Sequence, residues 1–386
     1  MSPMEPPQES LFSKILVVGA LALLLVIICA CGYVIYGFIS QPADPDPAAI
    51  AATVTPTPVP TPTPKPVLQN SPTPEATPEP VYQDDVQITS GIKVDTPGIW
   101  GTFVVYDEIV GTDDYKVHLY NTVSRIDDVI ATGNVRSYGC IGDGRVGLLY
   151  GDDYRIMLYD IENNKSTQAT PNKKIQRMYP NIFEGKLIYT ANDGAYNPTT
   201  GWLDIFSLYE YEISVSLYNL WANPSLEPHE PRGYGSYVVW WQINGNGRDL
   251  ILFKHDSLPC TSKVITQPGT ISDHPRIYGN TIVYHSIVDG TDHIYIYDIT
   301  SGRTRWITSG TQCYADVYKN SVVFDDNRDG NWNIYIFDRS TEEERPLTNE
   351  PHSQMMPQIY GSNVIFMDNR NYGQNDQGWD LYIMQI

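Results

Sequence analysis

Pro275-Arg276-Ile277-Tyr278-Gly279-Asn280-Thr281-Ile282-Val283-Tyr284, followed by a second run of the same kind at Ile294-Tyr295-Ile296-Tyr297-Asp298, decides how this chain is read. The unit returns as Val317-Tyr318-Lys319-Asn320-Ser321-Val322-Val323-Phe324 with Ile334-Tyr335-Ile336-Phe337-Asp338. It returns again as Pro357-Gln358-Ile359-Tyr360-Gly361-Ser362-Asn363-Val364-Ile365-Phe366 with Leu381-Tyr382-Ile383-Met384. β-Branched and aromatic residues dominate these runs, and Gly or Asn stands where a tight turn needs φ > 0. Each copy therefore reads as strands joined by turns, and no stretch after residue 80 carries a 3.6-residue period.

Degraded copies are traced by the Gly or Asn that ends the first strand: Gly101, Gly139, Gly185, Gly235, Gly279, Asn320 and Gly361. Their mean spacing is about 43 residues, a period proper to propeller blades. Each unit reads as four strands. The first is short, at Pro-x-Ile-Tyr; the second alternates, as at Val283 and His285; the third is of the Ile-Tyr-Ile-Tyr-Asp type. The fourth ends in an apolar–Thr step: Ala131-Thr132, Ala169-Thr170, Ile265-Thr266, Ile307-Thr308 and Leu347-Thr348. The expected fold is all-β, a seven-bladed β-propeller over residues 81–386, with six or eight blades left open by the irregular stretch 190–230. The last unit reaches Ile386 after its third strand, while Val86-Gln87-Ile88-Thr89 carries the missing ending. The amino-terminal strand is thus expected to complete the last blade and cover its edge.

Ahead of this domain the reading expects a short cytoplasmic tail (1–14), a transmembrane helix (15–39) and a Pro/Thr-rich stalk (40–80). Ile15–Ile39 is an almost unbroken apolar run of 25 residues, more than the ~20 needed to span a bilayer core. A cleaved signal peptide, or a lipoprotein signal with Cys31 as the lipidated residue, are the alternatives; apolar sequence continuing past Cys31 favours an uncleaved span. Lys14 before the run and Asp44 and Asp46 after it point to a cytoplasmic amino terminus and a propeller outside the cell. The stalk favours extended polyproline II, with a reach of roughly 100 Å at ~3.1 Å per residue. Its Thr-Pro tracts are candidate O-glycan carriers, and Asn164-Lys165-Ser166 is an N-glycan sequon.

The formal net charge is −20, of which residues 81–386 carry −16. A nucleic-acid partner needs a basic face and is excluded on that ground. Cys29 and Cys31 lie in the apolar run, and Cys140, Cys260 and Cys313 fall in different repeats, so no disulfide framework is indicated.

From Pro231 onward the units resemble the TolB-like propeller repeats of archaeal and bacterial envelope proteins. The resemblance rests on Pro275–Asn280, on Asp325-Asp326-Asn327-Arg328-Asp329-Gly330-Asn331-Trp332-Asn333 leading into Ile334–Asp338, on Leu347-Thr348, and on Met367-Asp368-Asn369-Arg370 with Trp379-Asp380-Leu381-Tyr382. It covers about 150 residues well and Asp95–Asn223 loosely. It implies a propeller displayed at the cell surface or in the periplasm, in protein-binding or scaffolding roles. TolB-like propellers also cap prolyl-oligopeptidase-type enzymes, but no Gly-x-Ser-x-Gly elbow is present in this sequence.

Three histidines stand just before first strands: His229, His274 and His352. Loops entering the innermost strands lie where propellers commonly bind ligands. The three imidazoles, with Asp273 and Gln354 as oxygen ligands, are therefore candidates to hold a divalent metal at the channel mouth, as in some propeller polysaccharide lyases. Against this, each can simply satisfy loop backbone, and their offsets from the next Pro differ. Asp325-x-Asn327-x-Asp329-Gly330 matches the start of a calcium loop, but Ile336 occupies the position that needs Glu, and Asp289-Gly290 and Asp193-Gly194 mark the same turn elsewhere. Tyr295, Tyr297, Tyr335 and Phe337 read as inter-blade core. Trp202, Trp221, Trp240, Trp241, Trp332 and Trp379 include candidates for stacking on a ligand.

The function expected from these residues is a membrane-anchored, extracytoplasmic, non-catalytic module that binds or scaffolds an envelope protein or glycan, without a cofactor. The alternative is a metal-dependent polysaccharide lyase or hydrolase using His229, His274 and His352.

Overall fold

The Ile-Tyr-Ile-Tyr runs bury both of their faces. In Asn333–Asp338 every residue but the last is buried, and Val104, Val105 and Tyr106 are all sealed from solvent. A strand buried on both sides must lie in a sheet covered on both sides, so these sheets stack face to face. The computed structural model describes residues 85–386 apart from 171–174, 193–205, 214–216, 223–227, 257–259, 308–310 and 373–377. The described strands belong to one compact unit, Val81–Ser257 with Thr261–Ile386. The expected tail, span and stalk lie outside the described residues. Among the described residues no helix is long and apolar enough to cross a membrane.

Strands follow one another in antiparallel order. Lys93–Trp100, Phe103–Gly111, Asp114–Asn121 and Asp127–Gly133 form the first sheet. In the second, Val135–Arg136 and Ile141–Gly142 both pair with Arg145–Tyr150, followed by Ile156–Asp160 and Lys165–Gln168. Arg177–Phe183, Lys186–Asn192, Phe206–Glu212 and Leu217–Ala222 come next. His229–Tyr234, Tyr237–Asn244, Gly247–Lys254 and Thr261–Val264 are then joined to Ile271–Tyr278, Thr281–Val288, Thr291–Asp298 and Thr304–Trp306 by a lone parallel bridge, Arg248 to Ile271. Gln312–Tyr318, Ser321–Asp326, Asn333–Asp338 and Glu343–Pro346 follow. The last sheet holds Gln354–Tyr360, Asn363–Asp368 and Asp380–Gln385, with Val86–Gln87 on its outer edge.

The apolar clusters lie between consecutive sheets. Val283, Ile294 and Ile296 meet Val317, Phe324 and Tyr335; Val323, Ile334 and Ile336 meet Val364, Phe366 and Tyr382. One cluster joins Val94, Val104 and Tyr106 of the first sheet to Ile365, Leu381 and Ile383 of the last, so the stack closes on itself.

The recurring apolar–Thr ending has a physical cause. The apolar residue is buried, as at Ala169, Ile265 and Leu347. The Thr hydroxyl accepts a backbone N–H from the first half of the third strand: Ile156 to Thr170 and Ile334 to Thr348 at 2.8 Å, Leu250 to Thr266 at 3.1 Å. In the last sheet the same bond comes from the other end of the chain, Leu381 to Thr89 at 2.8 Å. Val86 pairs with Ile383 and Gln87 with Tyr382, antiparallel, as the missing ending led us to expect.

Three local expectations change. The first strands are not short: Ile271–Tyr278 runs through Pro275, with a bulge between Asp273 and Arg276 that takes up the residue lacking an N–H. Asn320 is not the left-handed residue of its turn; Lys319 is, at φ 53°. Gly139 does not end a first strand. That turn is Asp143-Gly144, and Gly139 instead allows the first two sheets to approach, since a Cβ there would lie 2.5 Å from the Pro97 carbonyl oxygen.

Thr89→Val tests the closure. It keeps the shape and strands a buried N–H, so urea denaturation should show a loss of about 1–3 kcal/mol. An unchanged midpoint would mean that this seam contributes nothing to stability.

Candidate functional site at the channel mouth

The innermost strands converge on a channel of about 380 Å³. Each bends at the same step. Thr96, Tyr138, Tyr179, Glu230, His274 and Met356 take left-handed φ between 40° and 56°. Five of them precede Pro, which already disfavours the right-handed helical region, and the bulge frees them from the ladder. Non-Gly residues in this conformation cost about 1–3 kcal/mol each, and such strain gathers at functional sites. The side chains of this ring, with Tyr314 at the equivalent place, line one mouth.

Glu230 and His274 are paired there. His274 Nδ1 donates to Glu230 Oε2 at 2.9 Å, and Nε2 lies 3.9 Å from Asp273 Oδ1. Burial works to raise the Glu230 carboxyl, but the His274 bond and the charges of His274, Arg232 and Arg276 outweigh it and hold it down at about 2. Tyr314 packs on the His274 ring at 4.8 Å. Burial, then the charge of Asp325, pushes the Tyr314 phenol upward, so it keeps its proton.

Behind the pair lies a charged band. His285 sits between Asp273 and Asp292, 2.7 Å from each, and Arg248 pairs with Asp273 while lying 4.7 Å over Trp241. Burial opposes charge on His285, but the two carboxylates prevail and hold its pKa above the ordinary value.

The three histidines do not share a point. His274, one residue before its Pro, faces the channel. His229, two before, stacks on Trp241 at 4.0 Å across its own sheet. His352, five before, is exposed in the turn ahead of Gln354, whose amide donates to Asp368 at 3.0 Å. Among the described residues no group of three or more His, Cys, Asp or Glu side chains stands close enough to hold a metal ion. Nor is the calcium motif assembled: Asp325 accepts the N–H groups of Cys313, Tyr314 and Met356, and Asp329 accepts the Tyr335 hydroxyl. Trp240 is buried in core, and Trp202 and the Trp221 side chain lie outside the described residues. Sequence reasoning missed Glu230, Arg232, Arg276 and Tyr314. Counting from each repeat's Pro finds the first three, at one residue before and one after.

No family model and no curated protein matches this sequence. Solved structures do match. The acylaminoacyl peptidase of Pyrococcus horikoshii aligns at 13% identity and TM-score 0.58 over 76% of this chain and 51% of its own. The β-propeller domain of the Trilobed protease from Pyrococcus furiosus aligns at 13% and 0.58, over 76% and 95%. An oligogalacturonate lyase from Vibrio parahaemolyticus aligns at 13% and 0.60, over 80% and 95%. The fold is a β-propeller. This propeller spans about half the length of the peptidases it matches. The expectation of a non-catalytic binding or scaffolding module is corrected by these matches, because the proteins of like fold are peptidases and a lyase.

The raised His285 sets a pH dependence. Its contribution is complete below the unfolded value of about 6.5 and is lost as pH rises through the higher folded value. His118, bonded to Asp127 and Glu108, is raised too and acts in the same direction. Urea midpoints should therefore fall from pH 6 to pH 9, and His285→Asn should flatten part of that slope while His352→Asn leaves it intact. Equal slopes in all three proteins would remove this account.

Proposed function

We propose that the protein is an enzyme of the polysaccharide-lyase class, acting on an acidic glycan at the channel mouth and held outside the cell by the Ile15–Ile39 span and its stalk. One observation carries the reading: the Glu230 carboxylate accepts the His274 Nδ1–H and so orients the ring, with Nε2 toward a mouth rich in phenols.

Elimination from a uronic acid sugar needs two proton transfers. A base removes the proton from the carbon next to the carboxylate, and that electron pair forms the ring double bond. The bond to the leaving sugar oxygen breaks, and an acid returns a proton to that oxygen. His274 Nε2 suits the first role. The Tyr314 hydroxyl, kept protonated beside it, suits the second. These steps are assigned to two side chains of the mouth, His274 and Tyr314.

Coverage favours a lyase over a peptidase. The oligogalacturonate lyase is matched over 95% of its chain, so its propeller is nearly the whole enzyme, whereas the peptidases are matched over half. The finer architecture belongs to the same proposal: a TolB-like ring of seven blades, the last completed by the amino-terminal strand. The division of the eight-stranded sheet at its lone bridge supports that count.

Incubation with polygalacturonate and other polyuronates should release products that carry the ultraviolet absorbance of an unsaturated uronate. His274→Ala should lower kcat about 10²-fold or more with its circular dichroism unchanged. No unsaturated product from any polyuronate, with folded wild-type protein, would sink the reading.

A further inference from the structure

One step deeper in the channel than Glu230 and His274, adjacent innermost strands carry Arg232 and Arg276 at equivalent positions. Each guanidinium donates one Nη1–H to the carbonyl of the proline before it, Pro231 or Pro275, at 3.0 Å. A guanidinium has five N–H donors, so most remain unspent. The acidic neighbours are engaged elsewhere. Glu230 holds His274, and Asp316 accepts the N–H groups of Val317 and Ile359 at 2.9 Å each. Among the described residues neither arginine forms an ion pair with a carboxylate.

Two like charges in a narrow channel are unfavourable for the fold. Burial, then the charge of Arg276, pulls Arg232 down to about 10. Burial pushes the Asp316 carboxyl up against the pull of both arginines. The whole protein is strongly acidic, yet this level of the channel gathers cations with free donors. Planar forks of this kind match a carboxylate in two-point fashion.

We propose that Arg232 and Arg276 form an oxyanion site that takes the carboxylate of an acidic sugar. This deepens the lyase reading, on which it rests for the identity of the ligand but not for the existence of the site. A carboxylate neutralised there would also acidify the neighbouring C–H that His274 is placed to attack.

Calorimetric titration of the full-length protein in detergent tests it, with galacturonate as probe and galactose as the neutral control. Galacturonate should bind once per chain and galactose should not. Arg232→Gln and Arg276→Gln should each weaken binding at least about 10-fold, and Arg276→Lys less. Galacturonate should raise the thermal midpoint of the wild type and not of Arg232→Gln, whose own midpoint should be no lower, since it removes an unpaired buried charge. Tyr314→Phe should lose turnover and keep binding. Wild-type protein that ignores galacturonate, or arginine variants that bind it equally well, would overturn the site. Binding without elimination would overturn the lyase reading and leave the site standing. Elimination with undiminished binding in the arginine variants would do the reverse.

Discussion

Every sheet in this protein is apolar on two faces, so no sheet can be left at the end of the stack. That constraint forces the first sheet against the last, and Val94, Tyr106, Ile365 and Leu381 form one core although they lie at opposite ends of the domain. The seam is also hydrogen-bonded. Thr89 reaches Asp380 across 291 residues of chain, and the Ile88 N–H donates to the Leu381 carbonyl at 2.8 Å. Contacts of such sequence separation form late and at a high entropic cost, so the ring is expected to be cooperative once made and slow to make.

The channel follows from the same closure. Face-to-face packing around a ring brings the innermost strands together at the centre, where their repeating kink aims one residue per strand at a common mouth. Fold and site therefore share a cause, and they pull against each other. The left-handed Glu230 and His274 and the unpaired Arg232 and Arg276 are positions a fold alone would avoid. They persist because the surrounding sheets are over-determined by their apolar faces and by the carboxylates that join sheet to sheet, such as Asp107 to the N–H groups of Ser137 and Tyr138. The other end of the channel is quieter. Tyr234, Tyr278, Tyr318 and Tyr360 pack ring to ring at 4.8, 4.7 and 4.9 Å, a collar that braces neighbouring strands.

Of the three histidines singled out in the sequence, only His274 reaches the mouth, and the bulge decides this. One extra residue in a strand flips every side chain beyond it to the other face, so offsets of one, two and five from the next Pro lead to three different surroundings. The partners of His274 were less legible still. Glu230 lies 44 residues away; its place before Pro231 marks the kink, but nothing local says that it meets His274. The non-catalytic reading rested on the kind of repeat, which speaks to architecture; one fold carries many functions, and chemistry belongs to the site.

What the sequence alone determined is whatever recurs along it: the strand type, the turn after most first strands, the Thr that caps the third strand in several sheets, and the missing cap supplied by Thr89. These are short-range patterns, and each copy is a repeated measurement of the same local physics. Tertiary structure alone decided which residues meet in the channel, because a ring joins positions of neighbouring repeats that share no local signal. It also decided the charge state of the mouth, since the low carboxyl of Glu230 and the depressed Arg232 arise from burial and from neighbours that only closure brings near.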